Sequence, residues 1–335
     1  LGCVKAGLLR FPAAEIVGRL IPVGIGLPDG AEEPGTPQLI TVDVVRRALP
    51  PRPAAGHKGT FGRVLVVSGS DMFVGAGYLV AASAARAGCG LVTLAVPHWQ
   101  RTSLATLLPE ATYLPLLDGT DEAAAAGNAS AIAELLPACQ ALVVGPGLGQ
   151  GPYQTRLVAD VLSANLAGPR VPVVLDADGL NALAGREGWW ELLSPGSVLT
   201  PHPGEMARLI HSSPGEVNAD RGRWATRAAA LWGQTVVLKG AFTVVAGSDG
   251  GEWINPAALA ALGTGGTGDV LAGLCGGLLA QGARAEEAAV ASVWLHAEAA
   301  RRVLAGSGAD RLIAGDLPAA IPGAIGAVQA ATGDE

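Results

Sequence analysis

Short apolar runs recur at residues 64–67, 91–96, 141–144, 173–175, 198–200, 236–238 and 243–245, and they constrain the fold more than any other feature of the chain. Helix-compatible stretches mostly separate them, at residues 76–87, 153–165, 218–232 and 286–303, with a strongly apolar one at 270–280. A run that is apolar at every position, instead of every second one, suits a strand covered on both faces. Strand and helix in alternation therefore predict an α/β fold: a mainly parallel central sheet with helices on both faces and a site at the carboxyl ends of the strands.

A chain of 335 residues with 50% hydrophobic content can bury the core of one large domain plus an appendage. Residues 28–39 are rich in proline, glycine and acid, which predicts a linker. It would join an N-terminal segment, residues 1–27, too short to fold alone, to a domain at residues 40–330. Because the sequence starts at Leu1, an upstream part of the protein is expected to be missing. A net charge of −7 without a Lys/Arg cluster argues against a nucleic-acid partner and for a metabolite enzyme. Cys3, Cys89, Cys139 and Cys275 form no C-x-x-C pair, so neither a zinc site nor a disulfide framework is expected, and reduced thiols fit a cytoplasmic protein. The apolar runs are interrupted before the roughly 20 residues of a membrane span, so no membrane is expected as a partner. The first residues also lack a signal-peptide pattern.

Residues 263–269 read G-T-G-G-T-G-D and lead directly into the apolar stretch at 270–280. Glycines let the backbone turn tightly, and a helix starting after them presents amides without intrahelical partners, favourable for a phosphate. Asp269 then falls in the first helical turn, placed to take a proton from a substrate hydroxyl. An aspartate there is also simply stabilising, so the heptad alone leaves both readings open. Its G-x-G-x-x-G spacing does not indicate a dinucleotide fold, because residues 255–262 carry no β-branched residue and do not read as a strand. No P-loop signature occurs.

Further loops follow the apolar runs: G-P-G-L-G at 145–149, D-A-D-G-L-N at 176–181, P-H-P-G-E at 201–205 and K-G-A-F-T at 239–243. Each alone is an ordinary turn or capped loop; together, at successive strand exits, they face one crevice. His202, stiffened between two prolines, reads as a binding residue or a hydrogen-bonded structural one, not as a base. His98, His211 and His296 have no ligand partners at useful spacing and receive no function.

These segments, together with H-K-G-T-F-G-R-V-L-V-V-S-G-S from His57 and F-V-G-A from Phe73, occur in the order seen in NAD(P)H-hydrate dehydratases, a family of the ribokinase-like superfamily that the chain resembles over about residues 40–325. Residues 1–27 are similar to the tail of an NAD(P)H-hydrate epimerase domain fused ahead of the dehydratase in many bacteria. The resemblance implies a ribokinase-like fold and a lyase that dehydrates (6S)-NADHX or NADPHX to NADH or NADPH, with ADP giving AMP and phosphate. ATP is the alternative donor and Mg²⁺ the expected cofactor. It implies Asp269 as the base that deprotonates the ring hydroxyl, before phosphate leaves with help from the ring nitrogen. Lys239, Gly240, Ala241, Phe242, Thr243, Gly265 and Gly268 would contact the nucleotide, and Ala76, Gly147, Gly149, His202 and Asp269 the hydrated dinucleotide. No metal ligands are assigned; the ion would be held largely by water and nucleotide, with Asp178 nearby. A homo-oligomer and functional pairing with an epimerase domain are also implied. Two other readings remain: a ribokinase-superfamily kinase of a vitamin-precursor alcohol, and a non-catalytic nucleotide sensor, against which Asp269 beside an intact glycine loop counts.

Overall fold

The computed structural model describes residues 4–9, 13–18, 20, 21, 23, 26 and 35–331. Cys3 and residues 28–34 of the expected linker lie outside them. Ten strands form one sheet: β1 (Gln38–Leu39), β2 (Arg63–Val67), β3 (Leu91–Pro97), β4 (Thr112–Leu116), β5 (Ala141–Val144), β6 (Val173–Leu175), β7 (Val198–Leu199), β8 (Thr235–Leu238), β9 (Val244–Ala246) and β10 (Glu252–Ile254). Their spatial order is β1-β10-β9-β8-β7-β6-β5-β2-β3-β4, and β9 alone pairs antiparallel with its neighbours. All seven apolar runs became strands. Residues 38 and 39, at the end of the expected linker, form β1 on the sheet edge, parallel to β10.

The strands divide the core in two by their two-residue period. On β2, Val64 and Val66 face one apolar layer and Leu65 and Val67 the other; on β5, Ala141 and Val143 oppose Leu142 and Val144 in the same way. One layer is closed by helices Ala76–Arg86, Thr267–Ala280, Ala285–Ser307 and Leu317–Ala330, the other by Glu122–Leu135, Pro152–Ala167 and Arg221–Trp232. The helix expected at 218–232 is two, Pro214–Ala219 and Arg221–Trp232, because Asp220 breaks the first and caps the second by accepting from the Arg223 amide. Among the described residues no helix is long and apolar enough to cross a membrane. In the N-terminal segment, Leu9 is 7% exposed and lines a small pocket together with Phe242, Val244 and Ile254.

Helices Thr267–Ala280 and Ala76–Arg86 pack with their backbones in near contact. A Cβ on Gly273 would lie 2.1 Å from the Val80 carbonyl oxygen, and one on Gly277 2.8 Å from that of Ala84. This approach fixes where the glycine loop ahead of Thr267 meets the start of the Ala76–Arg86 helix. Gly273→Ala should therefore destabilise by overpacking, by about 1–3 kcal/mol. Thermal melting reads this as a drop of several degrees; an unchanged Tm would show that the two helices separate without cost.

Candidate active site

The chain turns back between β4 and β5, which takes its place on the other side of β2, so the crevice beyond the carboxyl ends of β2 and β5 is a topological switch point. Loops from β2, β5, β6, β7 and β8 open there. The amide of Gly69 donates to the Pro146 carbonyl at 3.4 Å, that of Asp176 to Val144 at 3.1 Å, and that of Lys239 to Pro201 at 2.9 Å, so each loop is tied to another by main-chain hydrogen bonds.

Lys239 lies at the centre. Its Nζ is 2.6 Å from Asp176 Oδ1 and 3.7 Å from Glu205 Oε2, and the two acids are 1% and 5% exposed at the side chain. Burial opposes the charge on Lys239, but Asp176, Glu205 and Asp269 outweigh it and raise its pKa. Burial raises Glu205 as well, with Lys239 acting against that rise. Asp269 is pushed up to about 7, first by burial, then by the charges of Asp176 and Asp178, while Lys239 pulls it down. A carboxyl group poised near neutrality is suited to accept a proton and release it again.

Asp269 stands in the first turn of Thr267–Ala280, whose N-terminus has no side-chain cap. Gly266 precedes the helix in the left-handed region at φ +89°, a conformation that glycine adopts without strain. Gly268 is not left-handed, and a Cβ there would stand 3.4 Å from Lys239 Nζ, so the glycine leaves room beside the ammonium. Helix start, dipole and lysine together form a cradle for an anion.

Beside it opens a cleft of about 710 Å³. Lys239, Gly240, Ala241, Thr243, Gly265, Gly268 and His202 line it. Phe242 turns away, into a small pocket behind the 239–243 turn. Ala76, Gly147 and Gly149 are not part of the cleft lining: Gly147 packs against Ala76 and Phe73, and the Gly149 amide donates to Asp178 Oδ2 at 2.9 Å. His202 has a structural task too. Its Nδ1 accepts from the amides of Gly204 and Glu205, capping helix Pro203–Leu209, and Glu205 accepts from the His202 amide at 2.7 Å. Burial, Lys239 and Arg208 lower its pKa, which keeps the ring neutral and suits binding better than proton transfer.

Two further residues line the cleft: His296, which the sequence reading gave no function, and Asn255, which it passed over. His296 and Asn255 are 8% and 4% exposed, and His296 Nε2 and Asn255 Oδ1 are buried without hydrogen-bond partners. Burial pushes His296 down to about 4, and its hydrogen bond to the Thr267 backbone leaves Nε2 as an acceptor. Asn255 donates Nδ2 to the Val293 carbonyl at 3.3 Å, which leaves Oδ1 as an acceptor. Both acceptors are buried beneath the cleft wall and are not presented at its surface. Among the described residues no three His, Cys, Asp or Glu side chains converge as metal ligands. Asp178 accepts from Gly149 through one oxygen and from Gln150 and Asn181 through the other. This donor set fits Mg²⁺ brought in on nucleotide phosphates and does not form a resident cage.

The sheet order and the glycine loop before a buried helix define a ribokinase-like α/β protein. The same fold appears in a ribokinase-like superfamily protein of Enterococcus faecalis, at TM-score 0.75 and 23% identity over 90% of this chain and 99% of that one. The chain belongs to the NAD(P)H-hydrate dehydratase family, whose model matches residues 64–322. It is 39% identical over 317 residues to a bifunctional NAD(P)H-hydrate repair enzyme of Moorella thermoacetica, covering 93% of this chain and 59% of that protein, so it spans less than two thirds of that relative's length. It is 35% identical to an ADP-dependent (S)-NAD(P)H-hydrate dehydratase of Bacillus subtilis, covering 84% of this chain and 95% of the relative. A crystal structure of the ADP/ATP-dependent NAD(P)H-hydrate dehydratase of Bacillus subtilis, co-crystallised with ATP and Mg²⁺, superposes at TM-score 0.75 with 33% identity, over 88% of this chain and 99% of that one.

The charges around Asp269 set opposite shifts for two variants. Lys239→Met removes the cation that favours the carboxylate and should move the Asp269 midpoint above about 7, whereas Asp176→Asn removes a repelling anion and should lower it. Carbon-13 NMR titration of the carboxyl groups measures both; a midpoint unmoved by either change would refute this arrangement.

Proposed function

We propose that the chain removes water from (6S)-NADHX or NADPHX and so restores NADH or NADPH, with ADP as phosphoryl donor. The observation that carries this reading is Asp269, held near neutrality beside an uncapped helix start and Lys239 at the mouth of the cleft. Family membership supplies the substrate class, since the relatives named ADP-dependent (S)-NAD(P)H-hydrate dehydratase match most of their length.

Hydroxide is a poor leaving group, so the ring hydroxyl is first phosphorylated. Asp269 takes the hydroxyl proton as the oxygen attacks the terminal phosphorus of ADP, and AMP departs. The amides at the start of Thr267–Ala280 and Lys239 stabilise the charge that develops on the transferring group. The ring-nitrogen lone pair then expels phosphate, and loss of a ring proton restores the double bond. The sum is hydrated dinucleotide plus ADP giving reduced dinucleotide, AMP, phosphate and a proton. Mg²⁺ would neutralise phosphate charge on the nucleotide. Lys239, Gly240, Ala241, Thr243, Gly265 and Gly268 border the nucleotide, and Ala76, Gly147 and Gly149 take the hydrated dinucleotide from the switch-point side. His202, on the cleft wall, contacts whichever ligand extends over Lys239.

Residues 1–27 fit the tail of an epimerase domain that supplies the correct epimer to this site. Exposed Trp99, Leu107 and Leu117 beside edge strand β4 support a homo-oligomer.

Asp269→Asn should lower turnover by roughly two to four decades while ADP affinity stays within a few-fold, because the amide keeps the shape but cannot take the proton. Recovery of NADH absorbance from NADHX measures it, and a variant within tenfold of wild type would rule Asp269 out as the base. In the wild type, kcat/KM should fall as pH drops through about 7 and level off above, as Asp269 loses its proton. A flat profile between pH 5 and pH 9, taken as about two units either side, would contradict it. Faster turnover with ADP-free ATP than with ADP would overturn the choice of donor.

A further inference from the structure

The 239–243 turn is a thin wall. Gly240 and Ala241 border the large cleft on one side and the small pocket, of about 240 Å³, on the other. Arg221, the first residue of helix Arg221–Trp232, fills the pocket side. One terminal nitrogen donates to the Ala241 carbonyl oxygen. The other stands 2.1 Å from where a Cβ on Gly240 would be, and Gly240 has φ +148°. The glycine is thus required twice, by its backbone conformation and by the guanidinium beneath it. Arg221 forms no ion pair with a described acid, and burial, opposing its charge, is the cause that lowers its pKa. A guanidinium nonetheless stays protonated. Among the described residues, then, a half-buried cation with no ion-pair partner sits one main-chain thickness from the cleft, in a pocket that Glu252 also lines.

We propose that Arg221 is a positioning residue for nucleotide phosphates: it braces the turn from behind in the shape that meets the nucleotide, and its charge is balanced by the phosphates of the bound nucleotide. This rests on the reading of the cleft as a nucleotide site. Two features separate Arg221 from a packing residue. Its hydrogen bond goes to a carbonyl of the turn itself, which orients the neighbouring peptide units. Its charge is half-buried, where an anion across the turn is attracted more strongly than across bulk water. Leu9, itself buried, lines the same small pocket.

The test compares Arg221→Gln, which removes the charge and the fork, with Arg221→Lys, which keeps a point charge. ADP binding to the full chain is measured by calorimetry with ADP and Mg²⁺ alone, alongside kcat, both KM values and Tm. For Arg221→Gln the expected result is an ADP dissociation constant and KM raised by about tenfold or more, a kcat within about threefold, and an unchanged KM for the hydrated dinucleotide. Arg221→Lys should recover part of the ADP affinity, and the gap between the two variants should narrow as salt rises. Folded variants that bind ADP as wild type does would overturn the assignment, and so would equal losses in kcat and both KM values that track Tm. Wild-type chain that binds no ADP would overturn the reading of the cleft itself, a result separable from the others because it precedes any substitution.

Discussion

One ammonium group holds the site together. Lys239 leaves the end of β8 and meets Asp176 from the end of β6 and Glu205 from the helix after β7, while Asp269 from the glycine-loop helix feels its charge. Carboxylates this close would repel one another if nothing stood between them. Breaking a buried pair by deleting one partner typically costs about 3–5 kcal/mol, because the remaining charge is left uncompensated. Here the loss would fall on several strand-end loops at once, since each contributes one charge to the same cluster.

The cluster also sorts incoming charge. The acids disfavour an anion, yet the uncapped start of Thr267–Ala280 and Lys239 favour one, and Gly268 puts no side chain between them. An anion would be favoured only where amides and ammonium converge beside Gly268, with the Asp176 carboxylate already engaged by Lys239. Burial and these acids meanwhile raise Asp269 to about 7, so the carboxylates that would repel a phosphate also bring this group into the range suited to a general base.

The central strands were legible because burial on both faces demands uninterrupted apolar runs, and the loops at their ends were legible through glycine, proline and paired polar residues. Strand β4 was not: it lies at the sheet edge, half exposed, and so tolerates Tyr113 and Pro115. Strands β1 and β10 are only two and three residues long, too short to show a period. Lys239 and Asp269 could be read from their motifs, but their shared charge environment could not, because it is assembled from residues 176, 205, 239 and 269. His296 sits in an alanine-rich helix where the sequence resembles packing, and Asn255 precedes a proline; only the fold shows that each leaves a buried acceptor unpaired beneath the cleft wall. Phe242 fell within a motif assigned as a whole, and it lines the other pocket.

The reversed strand β9 has a consequence of its own. It carries the chain away from the ligand edge, and β10 brings it back to deliver Asn255 and the cleft wall. The connection between them, exposed at Ser248, Asp249 and Gly250, thus lies at the opposite end of the sheet from the chemistry. Both ends of the detour are pinned by the sheet, so the tip can lengthen, accept a foreign peptide or be cut open without moving either ligand. Evolution, or an engineer attaching a reporter, has a freely editable margin there in a protein whose other edge admits almost no change.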